Sequence, residues 1–202
     1  MPLNILLTGV QVAGKLIPFA DFPAYRARHL TRVLGTLDLE IRGNNLRSAS
    51  FRAADLDSFI REVCRWGNYP GIAGRVLKRN VMTTLQDQFN AATSLLNVDQ
   101  ASTDVALAAI NKIKSLGTPS FASKHLRFLR PDICPVLDTI MSIRAGYAFT
   151  PGGYKMFSEH CLTVARVLSS VSPLAAADSE VARKTWGAAD VEMAVFAFLQ
   201  GW

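Results

Sequence analysis

From Asp55 onward the apolar residues fall into a helical rhythm that leaves little room for another fold class. Leu56, Phe59, Ile60, Val63 and Cys64 stand at i, i+3, i+4, i+7 and i+8, with Asp55 placed as an N-cap. "GNYPG" (67–71) breaks this helix. A second helix is expected from about Ile72 to about Leu96, through Val76, Met82, Leu85 and Phe89. A third, capped by Ser102 or Thr103, aligns Val105, Ala109, Ile113 and Leu116 and stops at Gly117. After "TPS", a fourth runs from about Phe121 to Leu129. "RPDICP" cannot continue it, because Pro131 and Pro135 each lack an N–H and restrict the residue before them. Helices over Thr139–Tyr147, Tyr154–Leu168 and Ala189–Leu199 complete the set, with "TPGG" as a loop. The reading is all-α, or nearly so, with seven or so helices.

The first 54 residues read as a mixed segment packed on that domain. "NILLTGV" fits a short strand or a buried segment. "FPAYRARHLTRVLGTL" is helical, with Pro23 ahead and Gly35 behind. "LDLEIRGNNLRSASF" is polar and reads as a loop with at most a β-bridge. The 202 residues suit one domain, or two tightly joined lobes with a cleft between them. Half are hydrophobic and 19% are charged, which excludes a disordered chain. Cys64, Cys134 and Cys161 are widely spaced without a C-x-x-C, which argues against a disulfide framework or zinc site and fits a reducing cytoplasm. "MPLNILLTGVQVAG" lacks a basic n-region, and "MAVFAFL" is far short of the about 20 residues of a membrane span. The net charge of +6 suits a polyanionic partner, although a merely basic protein would look the same.

Two stretches could carry chemistry. "GVQVAGK" spells G-x-x-x-x-G-K, but Leu16 stands where a P-loop needs Ser or Thr for Mg²⁺. The β–α alternation of such folds is absent too, so Lys15 reads as a solvent-facing charge. "SFASKHLRFLRPDICPVLD" (120–138) is more informative. Its helix follows the preceding one across a tight turn, whose backbone N–H groups and helix dipole could hold a phosphate. Lys124 lies in the first helical turn, where the dipole favours its neutral amine, the nucleophilic form. Asp138 stands ready to cap the next helix. Spacing alone also permits a surface lysine and an ordinary capping aspartate.

"SLGTPSFASKHLRFLRPDICPVLD" resembles the helix–hairpin–helix–GPD DNA glycosylases, particularly the 8-oxoguanine-glycosylase-like branch and its compact bacterial members. The likeness is closest over 115–147. In that family a hairpin precedes a catalytic lysine, and a loop then leads through "PV" to a catalytic aspartate opening another helix. Lys124, Pro135–Val136 and Asp138 match these positions. The glycine-rich hairpin is replaced by "GTPSFAS", in which Gly117 survives. Leu137 is an extra residue before the aspartate, the lysine-to-aspartate segment is short, and the family's following histidine is absent.

The resemblance implies a glycosylase, with or without lyase activity. It would flip a damaged or modified base out of double-stranded DNA. Lys124 would attack C1′ while Asp138 stabilises the positive charge on the sugar. No metal or organic cofactor is implied, and a cytoplasmic, nucleoid-associated monomer is expected, in repair or in defence against phage. Gly117, Ser120, Ser123 and His125 would contact DNA. Trp66, Tyr69, Tyr147, Phe149 and Trp186 are candidates to stack on the base, though each would equally suit core packing. "RKTW" (183–186) is basic and aromatic, as nucleic-acid grooves often are. "ADVEMAVFAFL" reads as a core helix capped by Asp190. The rival readings are a catalytically silent helical DNA-binding module on the same scaffold, and a helical interaction protein whose charge is incidental.

Overall fold

The computed structural model describes residues 2–97, 102–117, 119–171, 174 and 185–202. It is mostly helical (67%), with a small three-stranded antiparallel sheet at the N-terminus. The strands are β1 (Asn4–Ile5), β2 (Gly9–Val12) and β3 (Lys15–Pro18). β2 and β3 pair from Gly9↔Pro18 to Val12↔Lys15 across a two-residue turn. Ala13 and Gly14 both have positive φ, 51° and 76°, as a twist-matched hairpin turn requires. The "GVQVAGK" stretch is thus a β-hairpin, and Lys15 is exposed at its tip.

Among the described residues there are ten α-helices, more than the seven or so expected. They are α1 (Phe22–Arg32), α2 (Thr36–Ser48), α3 (Ala53–Trp66), α4 (Gly71–Arg79), α5 (Met82–Leu96), α6 (Thr103–Ile110), α7 (Ser120–Leu129), α8 (Thr139–Ala145), α9 (Pro151–Val171) and α10 (Ala188–Gln200). Three differences correct the sequence reading. The polar "loop" after Gly35 is α2, whose buried face is a single helical stripe of mixed rather than purely apolar residues. It buries Leu39, Glu40, Gly43 and Leu46. A Cβ on Gly43 would collide with the Phe128 carbonyl oxygen, so glycine lets α2 lie directly on α7. The long helix expected over 72–96 is split at Asn80. Its side chain donates to the Val76 and Lys114 carbonyls and accepts the Lys114 N–H, replacing helical bonds. Finally, α6 stops at Ile110 rather than Leu116. Turns follow, with Ser115 at φ 67°, so the connection to α7 is wider than a tight hairpin.

One buried apolar cluster runs from Leu3 and Val10 of the N-terminal segment to Val195 of α10. α1 packs along α10, α9 against α6 and α10, and α2 against α3 and α7. Burying so continuous a surface is the main driving force for the fold. The proline loop is fixed to α10, whose Ala188 and Ala189 N–H groups bond the carbonyls of Asp132 and Pro131. These carbonyls satisfy amides that the first helical turn would otherwise leave open.

Candidate active site

The site is built on α7. Residues Phe121 to Leu129 are all buried, although Ser123, Lys124, His125 and Arg127 are polar. Buried polar groups need partners, and each finds a different one. Ser123 Oγ donates to the Ser120 carbonyl (2.9 Å) and accepts the Leu137 N–H (3.1 Å). His125 Nδ1–H donates to the Phe121 carbonyl (2.6 Å), and its ring sits edge-on to Phe59 and Phe89. Burial holds its pKa down at about 4, so the ring is neutral. Arg127 forms a 2.7 Å ion pair with Glu40, with both side chains enclosed.

Lys124 turns instead to a pocket of about 550 Å³. α7 supplies Ser120, Phe121 and Lys124 to its wall, the loop after α3 supplies Gly67, Asn68 and Tyr69, and the segment before α8 supplies Val136 and Asp138. α10 adds Glu192, Phe196 and Gln200, and α1 adds His29. Lys124 is 7% exposed. Its Nζ donates to Ser120 Oγ at 2.7 Å and lies 4.9 Å from the centre of the Phe121 ring. Burial pushes the amine's pKa below the ordinary lysine value, and the charges of Asp138 and Glu192 offset this in part. A Cβ on Gly67 would stand 2.8 Å from the Phe121 ring and 3.1 Å from Lys124 Cδ. The glycine ending α3 therefore leaves room for the lysine stem.

Asp138 caps α8, its Oδ1 accepting the Met141 N–H at 2.9 Å. The three residues before it each face a different helix. Tyr154 of α9 donates to the Pro135 carbonyl (3.1 Å), Ser123 of α7 accepts the Leu137 N–H, and the Val136 backbone N–H lies on the side of the Glu192 carboxylate of α10, whose charged form it favours. Leu137, the extra residue, is fully buried. The proline segment is thus a fixed bracket that brings Asp138 to the lysine's pocket.

The remaining expected site residues divide. Ser120, Trp66 and Tyr69 line the pocket. Trp66 donates its indole N–H to Thr36 Oγ1 (2.9 Å) and meets Phe128 edge-on. Tyr69 is 66% exposed and edge-on to Phe121. Gly117 is exposed, at φ 81°. Ser123 and His125 face the interior, which leaves their side chains out of reach of a DNA strand. Trp186 is buried edge-on against Phe22, away from the pocket. Arg183 and Lys184 lie outside the described residues. The Tyr147 hydroxyl accepts the Leu3 N–H and pairs with His160, tying the N-terminal segment to α9, and Phe149 does not line the pocket.

Three pocket residues escaped the sequence reading. Glu192, 3% exposed, had one signal, an acid isolated within the apolar run of α10. His29 and Gln200 had none, since each depends on the α1–α10 packing. His29 is buried among Phe196 and Trp202, and burial holds its pKa at about 3. Its Nδ1 and the Gln200 Nε2 are buried without a hydrogen-bond partner in the protein. A neighbouring groove of about 590 Å³ shares Val33, Trp66 and Asn68 with the pocket and carries Arg32, Arg42 and Arg65 beside Asp38 and Glu62. Among the described residues no group of three or more His, Cys, Asp or Glu is arranged to hold a metal, and no helix is long and apolar enough to cross a membrane.

No family model matches the chain, and no curated protein or solved structure is significantly similar to it.

Proposed function

We propose that this protein is a DNA glycosylase with a helix–hairpin–helix–GPD type of scaffold, using Lys124 as its nucleophile and carrying lyase activity through the resulting Schiff base. The observation that carries the reading is the desolvated Lys124 amine sharing one pocket with the Asp138 carboxylate. A surface lysine would keep its proton at neutral pH. Burial weakens the amine's hold on its proton, which eases its conversion to the neutral form that attacks carbon. Asp138, fixed at the start of α8, stabilises the positive charge that develops on the deoxyribose as the base departs. The buried, unpartnered His29 Nδ1 and Gln200 Nε2 suit the edge of a flipped base, and Tyr69 offers it an aromatic face. The arginines of the adjoining groove suit phosphates of the flanking strand. The substrate is double-stranded DNA with a damaged or modified base, and a bacterial repair or anti-phage role accords with it.

Borohydride trapping tests this directly. The protein is incubated with a duplex containing an abasic site, and with duplexes carrying a panel of modified bases. A covalent adduct that disappears in Lys124→Gln supports the assignment. DNA binding with neither adduct nor base release would leave a silent binding module as the better description.

A further inference from the structure

We infer that Glu192 is a further catalytic residue of this pocket, the proton carrier that takes a proton from the Lys124 ammonium and returns it to the group leaving C1′. The inference rests on the proposed lysine chemistry and concerns a step that chemistry leaves open. Lysine must lose a proton before it can attack, and the leaving base must gain one.

Glu192 is placed for both. It comes from α10, on a different wall of the pocket from Lys124 of α7, and is almost wholly buried. Val136, two residues before Asp138, lines the same pocket, and its backbone N–H favours the charged form of the Glu192 carboxyl. Asp138 has a different duty, because its carboxylate is committed to capping α8 at the mouth of the lysine's pocket. Two carboxylates whose environments differ so much divide acid–base work from charge stabilisation.

The charged and titratable groups facing Glu192 come from four elements. They are Lys124 and Arg127 of α7, Asp138 before α8, Cys161 of α9 and His29 of α1 on the pocket wall. Burial, reinforced by Asp138 and opposed by Arg127 and Lys124, pushes the Glu192 carboxyl up to about 8. His29 does not titrate in this range, and the Cys161 thiol lies well above it. Glu192 can therefore exchange a proton near neutral pH, as an acid–base catalyst must.

The step balances without a further reactant. The ammonium of Lys124 passes a proton to the Glu192 carboxylate. The neutral amine forms a bond to C1′ as the bond from C1′ to the base nitrogen breaks, its electron pair leaving with the base. The carboxylic acid protonates that nitrogen, so Glu192 ends as a carboxylate and the positive charge stays on the lysine nitrogen. With an abasic aldehyde the departing group is water, and the same proton travels the same route.

The test measures the rate of borohydride-trapped adduct with an abasic-site duplex between pH 5 and 9, for the wild type, Glu192→Gln and Glu192→Asp. Gln retains an oxygen to face the Val136 N–H, and a melting curve checks that the fold is kept. The expected result is a wild-type profile with an ionisation near pH 8, which Glu192→Gln lacks while trapping about 10²-fold more slowly. Glu192→Asp restores part of that ionisation. Equal rates and profiles for wild type and Glu192→Gln would overturn the role of Glu192 and leave the lysine reading intact. No wild-type adduct at all would overturn both. If Glu192→Gln failed to fold, the wild-type profile alone would decide, and a flat one would refute the inference.

Discussion

Lys124 is held between two opposed effects. Burial drives it towards the neutral amine, while Asp138 and Glu192 draw it back towards the ammonium. Removing either carboxylate should therefore lower the lysine's pKa further even as it removes catalytic help. Asp138→Asn keeps a side chain able to cap α8, so DNA binding should survive while base release falls about 10²–10³-fold in single-turnover assays. Undiminished turnover would remove Asp138 from the site. At this scale Lys124 and Asp138 were legible because both stand at helix starts marked by proline and turn residues. His125 was not, because its neighbours in space, Phe59 and Phe89, lie on α3 and α5. Sequence order says nothing about which face of α7 those helices cover.

Among the elements, α7 decides whether the pocket exists. A helix carrying four polar residues within nine reads as half-exposed, yet it is the central helix. Local composition could not show that α2 would cover it, since α2 itself reads as polar loop. Their contact depends on Gly43 meeting the Phe128 backbone. Gly43→Ala should destabilise the fold by at least about 1–3 kcal/mol through overpacking, read as a lowered melting temperature. A Tm within a degree of wild type would show that the two helices can part cheaply. Ser123→Ala leaves the buried Leu137 N–H without its acceptor. The expected cost is about 1–3 kcal/mol, accompanied by slower trapping because the bracket before Asp138 loosens. Lost stability with unchanged trapping would show that the Tyr154 bond to the Pro135 carbonyl suffices to hold the bracket.

For the molecule as a whole, the two buried histidines lower stability in acid, while Glu192, whose carboxyl is pushed up to about 8, works the other way between that pH and the ordinary carboxylate range. Both histidines have folded-state pKa values below the ordinary 6.5, about 3 for His29 and about 4 for His125. Below pH 6.5 the unfolded chain takes up protons that the folded one refuses. Each histidine therefore removes about 1.4 kcal/mol of stability per pH unit as the pH falls towards 4. Chemical denaturation of His125→Phe should show a shallower loss over this window than wild type, and an identical slope would place its titration elsewhere. DNA affinity should fall steeply with salt, and Arg65→Ala should lessen the slope of log K against log salt by about one. An unchanged slope would take the arginine groove out of the interface. The other end of the pocket carries a practical consequence. Trp202 lines it, its carbonyl accepts from Arg28, and Arg32 lies 5.2 Å from its ring centre. Any polypeptide joined after Trp202 must start at the rim of the cavity. A purification handle fused there would start beside the cavity, whereas one fused ahead of the β-hairpin would start from an element that does not line it.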